Sequence, residues 1–287
     1  MQPVGHLLRD WRKRRHLSQL DLACQSDIST RHLSFLETGR SQPSREMILR
    51  LARQLEVPLR ERNALLVAAG FAPTFRERPL SDPTLESARQ VVDLILKGHE
   101  PYPALAIDRH WNMLAANRVV QPLLNGVAST LLTPPINVLR LTLHPEGLAS
   151  RIANLPEWRA HLFTRLRRQV EVSGDRVLEE LYDELRNYPV QEGAEPDADI
   201  DYAGVAIPFQ LVTEVGTLSF IGTTTVFGTP VDITLSELAL ESFFPADSRT
   251  SEVLQLMLSN FPPDNATVPA PTATSVERHP KSEPTPE

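Results

Sequence analysis

The stretch STRHLSFLETGRSQPS, Ser29 to Ser44, decides how the first part of this 287-residue chain is read. A helix opening at Ser29 turns about 100° per residue, which places Leu33 and Leu36 on one inward face. Phe35 then falls about 200° from Leu33, on the outward side with Thr30, Arg31 and Ser34. An aromatic ring on the wet side of a short helix needs a partner there. Gly39 stops this helix, and Ser44 caps the next, which carries Met47, Ile48, Leu51, Ala52 and Leu55 inward.

The same signals run outward from it. Before Ser29, Leu7, Leu8 and Trp11 begin an amphipathic helix, and Ser18 with Asp21 caps a second one bearing Leu22 and Ala23. After Ser44, a fifth helix is expected from about Leu59 to Ala69, stopped at Gly70. Five short helices define an all-α domain over residues 1–71. Its second and third helices have the helix-turn-helix arrangement, in which one helix holds the other outward toward a major groove.

Charge separates this head from the rest. Residues 1–78 hold 14 Lys and Arg against 8 Asp and Glu, and the remainder holds 15 against 28. A basic head on an acidic body suggests a polyanion-binding domain fused to one that does not bind polyanions. The single cysteine, Cys24, excludes an internal disulfide and cysteine-rich zinc sites, and fits a reducing cytoplasm. It is read as a packing residue of its amphipathic helix, with redox sensing as the alternative. No apolar run is long enough for a membrane span, and no signal peptide is visible.

Residues 72–84 (three prolines, no periodicity) read as a linker. A helix follows from about Thr84 to Leu96. Two extended segments around Asp108, Arg109 and His110 read as a hairpin that runs into a helix at Ala115. Trp158, Leu162, Leu166 and Val170 mark another helix, and Arg176–Leu185 a further one. The runs at 205–212 and 217–227 read as strands, and Leu235–Phe243 as a short helix. The body, 85–261, is thus α+β with an antiparallel sheet. The last stretch, 262–287, has 7 prolines and almost no apolar content, which predicts disorder.

Glu37, Thr38 and Gly39, with Pro43 four residues after the glycine, resemble the E-x-G-x-x-x-P signature of XRE-class regulators, relatives of lambdoid phage repressors. That resemblance implies a five-helix, lambda-repressor-like head that binds double-stranded DNA. By position it assigns Thr30, Arg31, Ser34 and Phe35 to base edges, Gln19, Arg40, Ser41 and Arg45 to phosphates, and Arg12 with Glu37 to an internal ion pair. Arg31 can bond guanine bidentately or meet a phosphate. Phe35 can pack on a thymine methyl, on a neighbouring side chain or on a second subunit.

No nucleophile–base motif, P-loop or metal-ligand spacing occurs, so no catalytic, metal or cofactor site is expected. His144-Pro145-Glu146 reads as a turn after Leu139–Leu143, and Glu179, Glu180, Asp183 and Glu184 as a solvated face. The stretches NVLRLTLHPEGL and FGTPVDITLSELALESFFPAD resemble the MmyB-like subfamily of XRE regulators over about residues 1–247. The resemblance implies a PAS-like ligand-binding body whose sheet and helices enclose an apolar pocket, a fatty acid being one implied occupant. Candidate walls are Trp111, Met113, Trp158, Leu162, Phe209 and Phe220, and candidate polar contacts Arg140, His144 and Arg165. The expected protein is a homodimeric regulator tuned by an apolar effector. The alternatives are a body used only for dimerisation or partner binding, and an enzyme with an autoregulatory head.

Overall fold

In the computed structural model, residues 2–189 and 207–259 are described. The expected tail at 262–287 and the first residues of the 205–212 run lie outside them.

The head consists of α1 (Val4–Arg14), α2 (Gln19–Gln25), α3 (Thr30–Glu37), α4 (Arg45–Gln54) and α5 (Leu59–Ala68). Each expected serine cap is formed. The Ser18 and Asp21 pair makes a reciprocal capping box, and Ser29 and Ser44 accept from the backbone N–H of His32 and Met47. Such caps each stabilise a helix by about 1 kcal/mol. Leu8, Leu22, Leu33, Leu36, Ile48 and Leu51 are fully buried in one core. Gly39 takes φ +74°, where a β-carbon is disfavoured, and turns the chain out of α3. Gly5 answers a different need, because a β-carbon there would collide with the Leu36 carbonyl oxygen. Only glycine lets α1 cross the end of α3 this closely. Cys24 corrects its reading as a packing residue, because it points to solvent from α2.

The body follows with α6 (Glu86–Gly98), β1 (Ala104–Ile107), β2 (Met113–Ala116), α7 (Val120–Leu123), α8 (Val138–Leu143), α9 (Leu155–Ser173), α10 (Arg176–Arg186), β3 (Phe209–Thr213), β4 (Gly216–Val226), α11 (Ile233–Ser236), β5 (Ala239–Pro245) and α12 (Ser248–Ser259). The strands form one antiparallel sheet of order β2-β1-β5-β4-β3. In β1, Ala104 and Ala106 face α6, while Leu105 and Ile107 face the larger core beneath α8, α9 and α10.

Two sequence expectations are corrected here. The hairpin does not enter a helix at Ala115; β2 continues to Ala116, paired with Leu105. Residues 235–243 are not a helix. After the short turn α11, the segment becomes β5, the central strand, paired with β1 on one side and β4 on the other. Leu, Ala and Glu favour helix locally, but two flanking strands override that preference. Leu240 then packs toward α6, and Ala239 and Phe243 toward the opposite core. The helix α12 has no counterpart in the sequence reading. It packs Leu254 into the core, and Thr250 Oγ1 accepts from the Ser219 N–H.

The 72–84 connection is held from both sides. Asn63 bonds the backbone of Thr74 and Phe75, and residues 76–78 bond α11 through the Ile233 N–H to the Arg76 carbonyl and Thr234 Oγ1 to the Arg78 carbonyl.

Candidate functional site

The outward side of α3 is a small cationic platform. Arg31 is exposed, and Thr30, Ser34 and Phe35 are half-buried, while Leu33 and Leu36 are sealed beneath. The Phe35 ring lies under two guanidiniums, Arg31 at 5.3 Å and Arg40 at 5.8 Å. Its partner is therefore found within the chain, and two cations are gathered over one ring at the mouth of the α3–α4 turn. Arg45 reaches Thr74 Oγ1 at 2.7 Å, and Ser41 bonds the Phe35 carbonyl through its backbone N–H.

Beneath the platform, Arg12 meets Glu37 bidentately at 2.6 and 2.8 Å, and Gln19 Nε2 donates to the same carboxylate at 2.8 Å. Burial works against the Glu37 charge, but the Arg12 and Gln19 hydrogen bonds outweigh it and hold its pKa below the ordinary range. This cluster ties α1, α2 and α3 into one body, so the angle of α3 is set by buried polar geometry as well as by leucines.

In the body, a cavity of about 280 Å³ opens under the sheet between α8 and α9. Trp111, Trp158, Leu162 and Arg165 line it, as does Glu241 from β5. A second hollow of about 80 Å³ continues inward along Met113, Phe209 and Phe220. The two share Leu105, Val138, Thr142, Trp158 and Phe243 as walls. Together they are at the small end of the range for ligand pockets, about 300–1,000 Å³. Trp111 reaches this wall from the β1–β2 turn at φ +66°, a conformation that costs a bulky residue about 1–3 kcal/mol. Its ring is buried, its Nε1 donates to Gln169 at 2.7 Å, and Arg165 stacks over it at 4.6 Å.

Two expected pocket residues belong elsewhere. Arg140 points from α8 to Glu184 at 2.7 and 2.8 Å, and His144 packs against Tyr188. Neither lines either hollow, because the half-buried Glu184 carboxylate on α10 takes up Arg140. Glu184 is accordingly not part of a purely solvated face. Glu241, Thr224, His161 and Thr142 are polar lining that sequence reasoning missed. Glu241 was hidden in the segment taken for a helix, and only its strand pairing turns it inward.

Head and body touch around the cavity's outer wall. Arg60 of α5 pairs with Glu77 and, at 2.9 Å, with Glu237, while Arg109 lies 3.5 Å from Asp175 and 3.6 Å from Glu237. Glu61 is pushed up by burial in the same place, with Arg109 opposing. A hollow of about 630 Å³ at this junction includes Arg165 and Thr224, which also line the inner cavity.

The MmyB-like transcription regulator ligand binding domain family matches residues 88–257, more than half of the chain, and a helix-turn-helix family matches 8–62. The chain belongs to the MmyB-like transcription regulators. This MmyB-like protein is a DNA-binding transcription regulator with an XRE-type helix-turn-helix head and an α+β ligand-binding body. No curated protein matches it. Among solved structures it is similar to one titled "Structure of an RNA-binding Light-Oxygen-Voltage Receptor", at 13% identity and a TM-score of 0.28. That match covers 89% of this chain and 62% of the other. Among the described residues, no His, Cys, Asp and Glu cluster is placed to hold a metal, and no helix is long and apolar enough to cross a membrane.

Proposed function

We propose that this MmyB-like regulator is a cytoplasmic homodimer that reads an inverted-repeat operator and is tuned by one small apolar molecule in the cavity between Trp111, Trp158 and Phe243. Thr30, Arg31, Ser34 and Phe35 would meet base edges, and Gln19, Arg40, Ser41 and Arg45 phosphates, with half-sites about one helical turn apart. Gln19 spends one amide hydrogen on Glu37 and keeps a second for a phosphate. The effector, a fatty acid in the form the family resemblance implies, would enter between α8 and α9.

One observation carries the regulatory part: Arg165 and Thr224 line both the ligand cavity and the head–body junction. An occupant that moves either side chain alters the surface on which Arg60 and Glu61 of the head rest. A tenfold change in operator affinity needs about 1.4 kcal/mol of difference between the two states, within reach of one rearranged buried contact. The test is operator binding by the full chain with and without an apolar effector. An affinity unmoved by any effector that binds would leave the body a dimerisation or partner module.

The dimer reading draws on α6. Its inward residues are Val92 and Leu96, yet Val91, Leu94 and Ile95 are exposed on the other side, Leu94 by 69%. Ser87, Val91, Leu94 and Gly98 follow a 4-3-4 spacing suited to pairing with a second helix, with small residues at both ends. Leu94→Glu is expected to yield a monomer by sedimentation and to weaken operator binding more than tenfold. A variant that remains dimeric places the interface elsewhere.

A further inference from the structure

The hollow of about 630 Å³ at the head–body junction is large enough for a ligand of its own, within the ordinary range of about 300–1,000 Å³. It is separate from the effector cavity, although the two share Arg165 and Thr224 as a wall. On α9, Arg165, Arg168, Gln169 and Val172 follow three- and four-residue spacings and turn one face toward it. Arg109 reaches it from the β1–β2 turn, and Arg60 and Glu61 from α5 of the head. Pro58, Val172 and Val226 supply apolar wall.

Four arginines line this hollow against three acids, Glu61, Asp175 and Glu237. Two of the acids are already taken. Asp175 accepts from His110 Nε2 and from the Val177 N–H, both at 2.9 Å, and Glu237 accepts from Arg60 at 2.9 and 3.0 Å. Glu61 makes no hydrogen bond among the described residues, and burial pushes its carboxyl up toward the neutral form. Two of the arginines, by contrast, keep their donors. Arg109 approaches Asp175 and Glu237 only to 3.5 and 3.6 Å, too far for a hydrogen bond of ordinary length. Arg168 is exposed and has no hydrogen bond, ion pair or ring contact among the described residues. Gln169 accepts from Trp111 through Oε1, which leaves its Nε2 hydrogens unused.

Uncommitted N–H donors from two elements thus line one hollow beside apolar wall, and what they lack is an oxyanion. One guanidinium fork uses both oxygens of a carboxylate, whereas the three oxygens of a phosphoryl group can be shared between two guanidiniums. We propose that this junction binds a small phosphomonoester with a partly apolar body, Arg109 and Arg168 holding the phosphoryl oxygens and Pro58, Val172 and Val226 meeting the apolar part. Gln169 Nε2 adds a further donor. The site goes beyond the apolar effector and stands without it, and its occupant bears directly on Arg60 and Glu61 of the head.

The test is calorimetric titration of the full chain with phenyl phosphate at about pH 8, where a phosphomonoester is close to a dianion. Benzoate and phenol serve as comparisons, in a buffer without other phosphate. Phenyl phosphate is expected to bind once per chain with a Kd below about 1 mM, and benzoate and phenol about tenfold or more weakly. Arg168→Gln and Arg109→Gln are each expected to weaken phenyl phosphate about tenfold or more. Arg176→Gln, at an exposed position of α10 outside the hollow, is expected to leave it unchanged. Arg168 holds no other described residue, so its replacement leaves the fold intact. Binding unaffected by Arg168→Gln overturns the proposal and moves the anion to the DNA-facing arginines of the head. Benzoate that binds as tightly overturns the phosphomonoester class, and absence of binding overturns the site.

Discussion

Head and body each hold a bidentate arginine against a buried glutamate, and the two pairs do different work. Arg12–Glu37 sits in a filled core, where both Glu37 oxygens are met by donors from Arg12 and Gln19 on neighbouring helices. Arg165–Glu241 sits on the wall of a hollow that Trp158 also lines, and the Trp158 N–H has no partner among the described residues. The first arrangement is complete and holds the geometry of α3. The second is incomplete, which is what a binding site needs. Buried charge pairs contribute little net stability on average, so what surrounds them decides their role.

The sharpest way to break the comparison is Glu37→Ala. It strands Arg12 and is expected to cost about 3–5 kcal/mol, read from urea unfolding of the head. The pH dependence has a definite sign. The folded pKa of Glu37 lies below its unfolded value, so its contribution is present above the ordinary carboxylate range and is lost as pH falls through the folded value. Glu37→Gln should flatten that acid limb, and an unchanged limb would place the dependence on other carboxylates.

Next in size is the platform above the pair. Arg31→Ala is expected to cost about 1–3 kcal/mol on the cognate operator and much less on random DNA. Equal losses on both would make Arg31 a phosphate contact. Phe35→Ala distinguishes a ring that seats Arg31 and Arg40 from one that reads thymine: the former lowers affinity at every site, the latter at one base position.

The smallest effect on stability is expected at the seam. Arg60 is partly exposed, and surface pairs of its kind contribute about 0–1 kcal/mol. Arg60→Ala should scarcely move the melting temperature, yet should weaken the response of operator affinity to effector. A full response without Arg60 would route the coupling elsewhere.

The two regions also differ in how much of them could be read in advance. In the head, the serine caps, Gly39 and the inward leucines are local signals, each acting within four residues, and they fall where the sequence puts them. Gly5 was silent, because its reason is a carbonyl thirty-one positions away in the chain, at Leu36. In the body, Trp111, Trp158, Leu162, Phe209 and Phe220 were legible as large apolar residues that some core must gather. Arg140 and His144 were misplaced because their partners, Glu184 and Tyr188, are brought beside them only by the packing of α10 on α8.

The amino-acid sequence by itself determined the five-helix head, the outward side of α3, the charge division and the antiparallel character of the body. These follow from capping, periodicity and charge, which are properties of neighbouring residues. Tertiary structure alone decided that 239–245 is the central strand and that Glu241 therefore faces inward, against Arg165. Those facts depend on β1 and β4 closing around a segment whose local preference is helical, and on α9 laying Arg165 across it.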